Sequence, residues 1–265
     1  MTTPPPEGVD PHKASPARLY DYYLDGKDNY PVDREVGDRL LEKIPEIRSM
    51  ALANRAFLRR VVRYMAGEGI DQFLDLGSGL PTADNTHEVA QTVNPDVRVV
   101  YVDHDPMAVA HGNAVLATDP ERTAMVAADL RNPASILSHP DTRRLIDFDR
   151  PVGLLLIAVL HFLPDDTRPY GIVRTLRDVL PTGSITAISH VENQTAPDRA
   201  ALMEEVYAST SAPGRTRSHA EISRFLDGME MVHPGVTYVC DWRPELCDTY
   251  WPPDQAWVLG GVGHI

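Results

Sequence analysis

The chain has 265 residues, 43% of them hydrophobic and 24% charged, so it is long and apolar enough to bury a sizeable core. Its 25 Lys and Arg residues against 38 Asp and Glu residues give a net charge of −13, which disfavours a nucleic acid partner because the phosphate backbone repels an acidic protein. The longest apolar run, residues 152–160, is far shorter than the roughly 20 residues that cross a bilayer, which excludes a transmembrane helix and argues against a membrane partner.

The N-terminal part begins with a proline-rich stretch. Residues 1–15 lack apolar periodicity and contain no signal-peptide core, so we expect a disordered tail on a cytoplasmic protein. Residues 16–68 are expected to form an N-terminal helical lid, with helices predicted at about 16–24, 33–43 and 46–66.

The polar segment 25–31, which separates the first two of these helices, has two interpretations. As a lid over a bound ligand it would bring Asn29 and Tyr30 to that ligand, and Tyr20, Tyr23 and Tyr30 would form aromatic walls. As ordinary packing it would only join two helices that lie on a sheet. Both interpretations stay open at the level of the sequence.

From residue 69 onward, short β-branched runs alternate with helical patterns. Strands are predicted near residues 72–76, 97–102, 125–128, 152–159 and 184–189, with helices between them near 82–93, 106–117, 133–139 and 165–180. Strands that alternate with helices form parallel βαβ units, so we expect an α/β fold with a doubly wound sheet. A small helical cap is expected over about residues 191–230, before two last strands near 236–240 and 256–261.

A glycine turn follows the first of these strands. Gly77 and Gly79 come directly after a strand that carries Asp75, and glycines there allow a ligand to approach the backbone. A dinucleotide-binding turn requires a third glycine at the position of Thr82, and a triphosphate-binding loop requires Gly-Lys-Ser/Thr, which the sequence lacks. Both phosphate-binding interpretations are therefore weakened.

Carboxylates follow three successive predicted strands. Asp75 precedes the turn, Asp103 lies 103 − 79 = 24 residues beyond Gly79, and Asp129 ends the third strand. The second spacing is close to the roughly 20 residues at which an acid binds ribose hydroxyls in doubly wound folds. An acidic strand end with a glycine turn suits a cationic ligand without phosphate, such as S-adenosylmethionine (SAM).

These motifs resemble those of class I SAM-dependent methyltransferases. The segments that carry the resemblance are DLGSG, YVDHDP, AADL, LLLIAVLHFL and LPTGS. The chain is more specifically similar to a bacterial family once catalogued as a domain of unknown function, through ARLYDYYLDGKDNYPVDRE near the N-terminus and a PGV…WRP segment near the C-terminus. One departure is Pro81, where many class I enzymes have a third glycine.

The resemblance implies a Rossmann-like, seven-stranded sheet over residues 69–265, with the last strand antiparallel and SAM across the carboxyl ends of the first strands. It assigns the methionine part of SAM to Asp75, Gly77 and Gly79, the ribose to Asp103, and the adenine to Asp129 and Leu130. Ala158 would flank the methionine and the sulfonium.

Several roles have more than one interpretation. His161, after the fourth predicted strand, would be a general base or a polar cover over the site. His104 would stack near the ribose or the adenine. The two cysteines, Cys240 and Cys247, have a spacing that fits no zinc site, so no metal is expected.

The predicted function is methyl transfer from SAM to a small-molecule acceptor. An NAD(P)-dependent oxidoreductase and a SAM-binding protein without catalysis are the alternatives. The oligomeric state and the acceptor atom, oxygen, nitrogen or carbon, are not predicted.

Overall fold

A mostly parallel sheet forms the centre of the computed structural model, which describes residues 5–82 and 84–265. Its strands within those residues are β1 (Gln72–Leu76), β2 (Arg98–Asp103), β3 (Thr123–Ala127), β4 (Gly153–Ile157), β5 (Ile185–Val191), β6 (Glu230–Met231), β7 (Thr237–Tyr238) and β8 (Val258–His264). Their order is β3-β2-β1-β4-β5-β8-β6, with β7 also paired to β8. Strands β1 to β5 are parallel, and β8 runs antiparallel to β5. The predicted α/β class and the antiparallel last strand are confirmed, whereas the two-residue β6 was not predicted.

The helices lie on both faces of this sheet. They are α1 (Pro16–Tyr23), α2 (Pro31–Lys43), α3 (Ile47–Gly67), α4 (Thr86–Gln91), α5 (Pro106–Leu116), α6 (Pro133–Ser138), α7 (Pro140–Leu145), α8 (Pro169–Arg177), α9 (Pro197–Tyr207) and α10 (His219–Ser223). Short 3-10 turns lie at Leu160–Phe162, Asp165–Thr167 and Arg224–Leu226. Among the described residues, no helix combines the length and the apolar character needed to cross a bilayer.

Side chains that alternate along the strands divide the hydrophobic core into two clusters, one on each face of the sheet. Phe73 of β1 belongs to the cluster that also holds Phe57 and Val61 of α3, whereas its neighbour Leu74 belongs to the opposite cluster with Val173 of α8. Successive side chains of a strand point to opposite faces, so a strand buried on both sides reads as continuously apolar. The two clusters hold the sheet between helical layers, which leaves the carboxyl ends of its strands as the accessible edge.

Helix starts follow the local sequence signals, with one difference. Ser218 and Glu221 form the expected capping box at the start of α10. The predicted helix at 165–180 begins only at Pro169, because Arg168 adopts a left-handed φ of 57°. A residue before proline is disfavoured in the helical region, so the chain turns there before α8 starts.

The segment that precedes α1 also differs from the prediction. Residues 1–4 of the predicted tail lie outside the described residues, but the part just before α1 is packed. Ser15 is buried, and Arg18 donates hydrogen bonds to the carbonyl oxygens of Asp10 and Lys13. These contacts are polar and therefore leave no apolar periodicity by which the sequence could have revealed them.

Candidate functional site

The strand order reverses between β1 and β4. The chain proceeds from β1 to β2 on one side of this point and from β4 to β5 on the other. Because the connections after β1 and β4 leave in opposite directions, a crevice opens between the carboxyl ends of these two strands. A pocket lies there, lined by both strand ends and by residues of α1, α3 and α9.

The glycine turn after β1 forms one wall of this pocket. Gly77 has φ 72°, and a Cβ at this position would lie 2.2 Å from Val159 Cγ2, so only glycine fits between the ends of β1 and β4. Gly79 has φ 66°, and a Cβ there would meet no described atom within 4 Å. The first glycine thus allows close packing of the chain, and the second faces open space that a ligand can occupy.

Asp103, at the end of β2, lies beside the glycine turn and binds its backbone. Its Oδ2 accepts a hydrogen bond of 2.8 Å from Gly79 N, and its Oδ1 accepts one of 2.9 Å from Asp105 N. Burial raises the pKa of this carboxyl group. Each oxygen keeps acceptor capacity beyond its one backbone bond, so the group can also bind hydroxyls of a ligand.

Asp75 lies one strand away, in β1, and also lines the pocket. Thr86 Oγ1 donates a hydrogen bond of 2.7 Å to Asp75 Oδ2. Burial raises the pKa of Asp75 to about 6, because an ionised carboxylate loses most of its hydration there. A cation in the pocket would restore the ionised form.

Ala158, directly after β4, has a left-handed φ of 53°. Its N–H donates to Ser189 Oγ at 2.9 Å, and that hydroxyl donates to Asn54 Oδ1 at 2.5 Å. Asn54 Nδ2 donates in turn to Tyr20 OH at 2.9 Å. The end of β4 is therefore linked by hydrogen bonds to α3 and α1. Asn54, the polar residue by which α3 joins this link, was not predicted as a site residue.

The far end of the pocket is lined by aromatic and sulfur-containing side chains. Tyr23 of α1 and Tyr207 of α9 have hydroxyl oxygens 3.5 Å apart, and Phe162 packs against Tyr207 with ring centroids 5.6 Å apart and the ring planes tilted by 43°. Met50 and Met203 complete this apolar wall. Burial raises the pKa of Tyr207 to about 12, so its phenol stays protonated.

His161 lies in the pocket wall as well. Its Nδ1 is buried, and no described residue forms a hydrogen bond with it. Burial, together with the positive charge of Arg217, lowers the pKa of His161 to about 3. Neighbouring His190 is fixed, because its Nδ1 donates to Val191 O at 2.7 Å and its Nε2 accepts from Arg217 at 2.9 Å. Imidazole with so low a pKa is a weak proton acceptor, which argues against the general-base hypothesis for His161.

Asp129 and Leu130 lie outside the pocket wall. Asp129 forms an ion pair with Arg131, which lowers the pKa of Asp129, and Leu130 is buried in the core on the α8 side of the sheet. The carboxylate that the resemblance assigns to adenine is therefore paired with a neighbouring side chain at the surface rather than placed in the pocket wall. His104, by contrast, does line the pocket.

Asn29 and Tyr30 also lie behind the pocket wall rather than in it. Asn29 Nδ2 donates to Asp21 Oδ2 at 2.8 Å, and Arg18 lies over the ring of Tyr30 at 5.2 Å. The residues of α1 that do line the pocket include Tyr20, Tyr23 and Asp21. The first two follow the predicted aromatic walls, whereas Asp21 was missed because one acid in a short helix carries no distinguishing pattern.

Among the described residues, the one group with a metal-like arrangement lies in the loop after β7. Donor atoms of Glu245, Cys247 and Asp248 lie within 4.8 Å of one another. Arg59 and Arg60 of α3 both form ion pairs with Asp248, so its oxygens serve to anchor the loop.

The pocket therefore fits SAM better than a dinucleotide. A pyrophosphate would need free backbone N–H groups at the turn, but Gly79 N is bound to the Asp103 carboxylate. The buried Asp75 and Asp103 would repel phosphate and attract the positive sulfonium and ammonium groups of SAM.

Comparisons with known proteins agree with this geometry. The family model described as S-adenosyl methyltransferase matches residues 2–265. The chain is similar to a DUF574 family protein from Streptomyces avermitilis (42% identity, TM-score 0.92, covering 96% of this chain and 98% of the relative). It is also similar to a candidate methyltransferase from Thermobifida fusca (43% identity, TM-score 0.92, covering 99% of each chain).

A more distant neighbour shares the fold alone. The plantazolicin methyltransferase BamL, solved with a triazolic desmethylPZN analogue and S-adenosylhomocysteine (SAH), has 11% identity, a TM-score of 0.53 and coverage of 94% of each chain. No curated protein sequence is significantly similar to the chain.

Proposed function

The chain belongs to the S-adenosyl methyltransferase family, and is thus a SAM-dependent methyltransferase; from this premise we propose that its acceptor is a small molecule enclosed between the sheet edge and helices α1, α3 and α9. The observation that carries the proposal is a continuous pocket whose wall includes Gly79, Asp103 and Tyr207. A pocket walled mainly by apolar side chains, with a few polar groups, is typical of small-molecule sites. The net charge of −13 further disfavours nucleic acid.

We propose that the polar end of the pocket binds the cofactor. Asp103 would accept hydrogen bonds from the ribose hydroxyls, and Asp75, Gly77 and Gly79 would lie along the methionine part. Ala158 would flank the sulfonium, and His104 would lie beside the ribose or the adenine. The proposed adenine role of Asp129 and Leu130 has no such support, because neither residue lines the pocket.

When bound, SAM supplies a methyl group on a positively charged sulfur, which is an activated leaving group. The residues of the chain then have to align the acceptor and exclude water, and alignment alone accounts for much of the acceleration in such reactions. Val159 and the apolar residues of α3 and α9 would exclude water. A dedicated base is needed only when the acceptor must lose a proton before it reacts.

We also propose that the N-terminal helices close over the cofactor. Support comes from α1, which contributes Tyr20 and Asp21 to the pocket wall, and from Ser15 at its start, which is hydrogen-bonded to the loop after β2. The buried ion pair between Arg18 and Asp33, 2.7 Å long, holds α1 to α2. Asn29 would act behind this wall by fixing Asp21. The cytoplasmic location stays a prediction.

Calorimetric titrations with SAM and with NADH test this proposal against the oxidoreductase alternative. We expect SAM to bind and NADH to give no heat. Incubation with methyl-labelled SAM and a metabolite extract then separates an enzyme from a protein that only binds SAM. Absence of label in every acceptor fraction, from protein that binds SAM, would overturn the proposal of a small-molecule acceptor.

A further inference from the structure

The inner face of α9 carries one carboxylate among apolar side chains. Met203 and Glu204 line the pocket, and so does Tyr207, which lies one helix turn beyond them. Tyr23 and Phe162 lie against Tyr207. The acceptor end of the pocket is therefore an aromatic and thioether enclosure with an acid in its wall.

The Glu204 carboxylate is held in a fixed position. Its Oε1 accepts a hydrogen bond of 2.6 Å from Thr216 N and a second from Thr216 Oγ1. Thr216 is itself buried, with 5% of its surface exposed. No donor to Oε2 exists among residues 5–82 and 84–265, so this oxygen is available to a ligand.

The positive charges near this end are engaged by other groups. Arg215 contributes to the pocket wall, but its guanidinium forms an ion pair of 2.8 Å with Asp165. Arg55 donates to the carbonyl oxygen of Asp84 at 2.9 Å. Burial holds the phenols of Tyr23 and Tyr207 in their neutral form. Beside these aromatic rings, Glu204 therefore provides a carboxylate oxygen that no described cation engages.

An anion beside aromatic rings attracts cations. The faces of tyrosine and phenylalanine rings stabilise an ammonium group by about 0.5 to 2 kcal/mol when water is excluded. A hydrogen bond from an ammonium group to a carboxylate is about twice as strong as a neutral one. The same groups would repel a carboxylate-bearing acceptor and would give an alcohol only a neutral hydrogen bond.

We propose that the methyl acceptor is an amine with a mainly apolar, ring-containing body, and that Glu204 binds the amine nitrogen. This inference rests on the proposed function. The bound ammonium ion has no lone pair, so it first gives one proton to Glu204 Oε2. The resulting neutral amine forms the new N–C bond while the C–S bond breaks and its electron pair stays on sulfur. The product leaves as a methylated ammonium ion, and the Glu204 carboxylic acid then releases its proton to solvent. The low pKa of His161 is compatible with such an acceptor.

Matched probes test this assignment on the full-length chain. The probes are 2-phenylethylamine and tryptamine, the corresponding alcohols 2-phenylethanol and tryptophol, and the corresponding acids phenylacetate and indole-3-acetate. Their binding is measured by calorimetry on protein saturated with SAH, and their methylation is measured with tritium-labelled SAM. The variants are Glu204→Gln, which keeps the acceptor of the Thr216 bonds, and Glu205→Gln, which changes the exposed neighbour on α9.

We expect the amines to bind at least about tenfold more tightly than the alcohols and acids, and to be the compounds that become methylated. Glu204→Gln should remove this preference, whereas Glu205→Gln should keep it. Equal or tighter binding of alcohols or acids, an unchanged preference in Glu204→Gln, or no binding of any amine to the SAH complex would overturn the assignment. Failure of SAH itself to bind would instead count against the proposed function, so the two failures are distinguishable.

Discussion

Ser15 Oγ donates a hydrogen bond of 2.6 Å to Asp105 Oδ2, which joins the start of α1 to the loop after β2. Asp105 N donates to Asp103 Oδ1 at 2.9 Å, and Gly79 N donates to Asp103 Oδ2 at 2.8 Å. These contacts form one continuous chain from the N-terminal helices to the glycine turn. The position of α1 and the shape of the cofactor crevice are therefore linked.

This link predicts that Ser15→Ala weakens SAM binding although Ser15 does not line the pocket. The change removes the hydrogen bond to Asp105 and the capping bond from Arg18 N to Ser15 Oγ, and should reduce the affinity roughly 3- to 10-fold, measured by calorimetry. Ser15→Thr, which keeps the hydroxyl, should restore most of it. Ser209→Ala removes an exposed hydroxyl that bonds only within its own helix end, and serves as the control. Identical affinities for wild type and Ser15→Ala would show that α1 and the turn act independently.

Deletion of N-terminal residues tests how much α1 and the segment before it contribute to SAM binding. Removing residues 1–9 leaves the contacts of Arg18 with Asp10 and Lys13 in place and should not change the affinity for SAM. Removing residues 1–31 deletes α1 and its part of the pocket wall, and should weaken SAM binding at least about tenfold. If both truncated proteins are folded and bind SAM equally, α1 is ordinary packing and the lid proposal is wrong.

The N-terminal region contains some features that the sequence could predict and others that it could not. The first helix and its tyrosines were predictable, because periodicity and breakers such as Gly26 act locally. The Ser15 to Asp105 contact spans 90 residues and has no local signature, so the segment before α1 looked like a tail. Asn29 and Tyr30 are conspicuous in the sequence, yet their partners Asp21 and Arg18 decide where they point.

A second contrast separates the acids. Asp75 and Asp103 lie in the pocket because a strand end fixes the direction of each carboxylate. Asp129 also follows a strand, but its carboxylate forms an ion pair with Arg131, two residues further on. Glu204 was missed, since its role depends on a contact with Thr216 that helical periodicity does not encode.

Asp75→Asn should stabilise the protein and weaken SAM binding. The folded-state pKa of Asp75 is raised from 3.8 to about 6, so its contribution to stability is present below pH 3.8 and is lost as the pH rises through 6. Asn avoids this loss, and the free energy of unfolding at pH 8 should rise by on the order of 2 kcal/mol. Denaturation curves at pH 8 and at pH 3.5 measure the difference, which should vanish at the lower pH. A variant less stable than wild type at pH 8 would contradict this account.

The affinity of wild type for SAM should also fall as the pH drops below about 6, because a protonated Asp75 no longer attracts a cation.

His161 should remain uncharged through the physiological range. Its pKa of about 3 predicts no protonation between pH 8 and pH 5, since burial and Arg217 disfavour a second positive charge. Nitrogen chemical shifts of the imidazole ring, assigned by comparison with His161→Asn, report the protonation state directly. A titration midpoint above pH 6 would restore His161 as a candidate general base.

Titration of SAM into wild type and Asp103→Ala is the most direct test of the proposed cofactor crevice. Loss of the carboxylate that we propose to accept hydrogen bonds from the ribose hydroxyls should weaken binding by about 2 to 3 kcal/mol, which is roughly 30- to 150-fold. Asp141→Ala, which removes an exposed acid of α7 paired with Arg144, is the matched control and should bind like wild type. An unchanged affinity in folded Asp103→Ala would contradict the account, because SAM would then bind elsewhere than between the glycine turn and the end of β2.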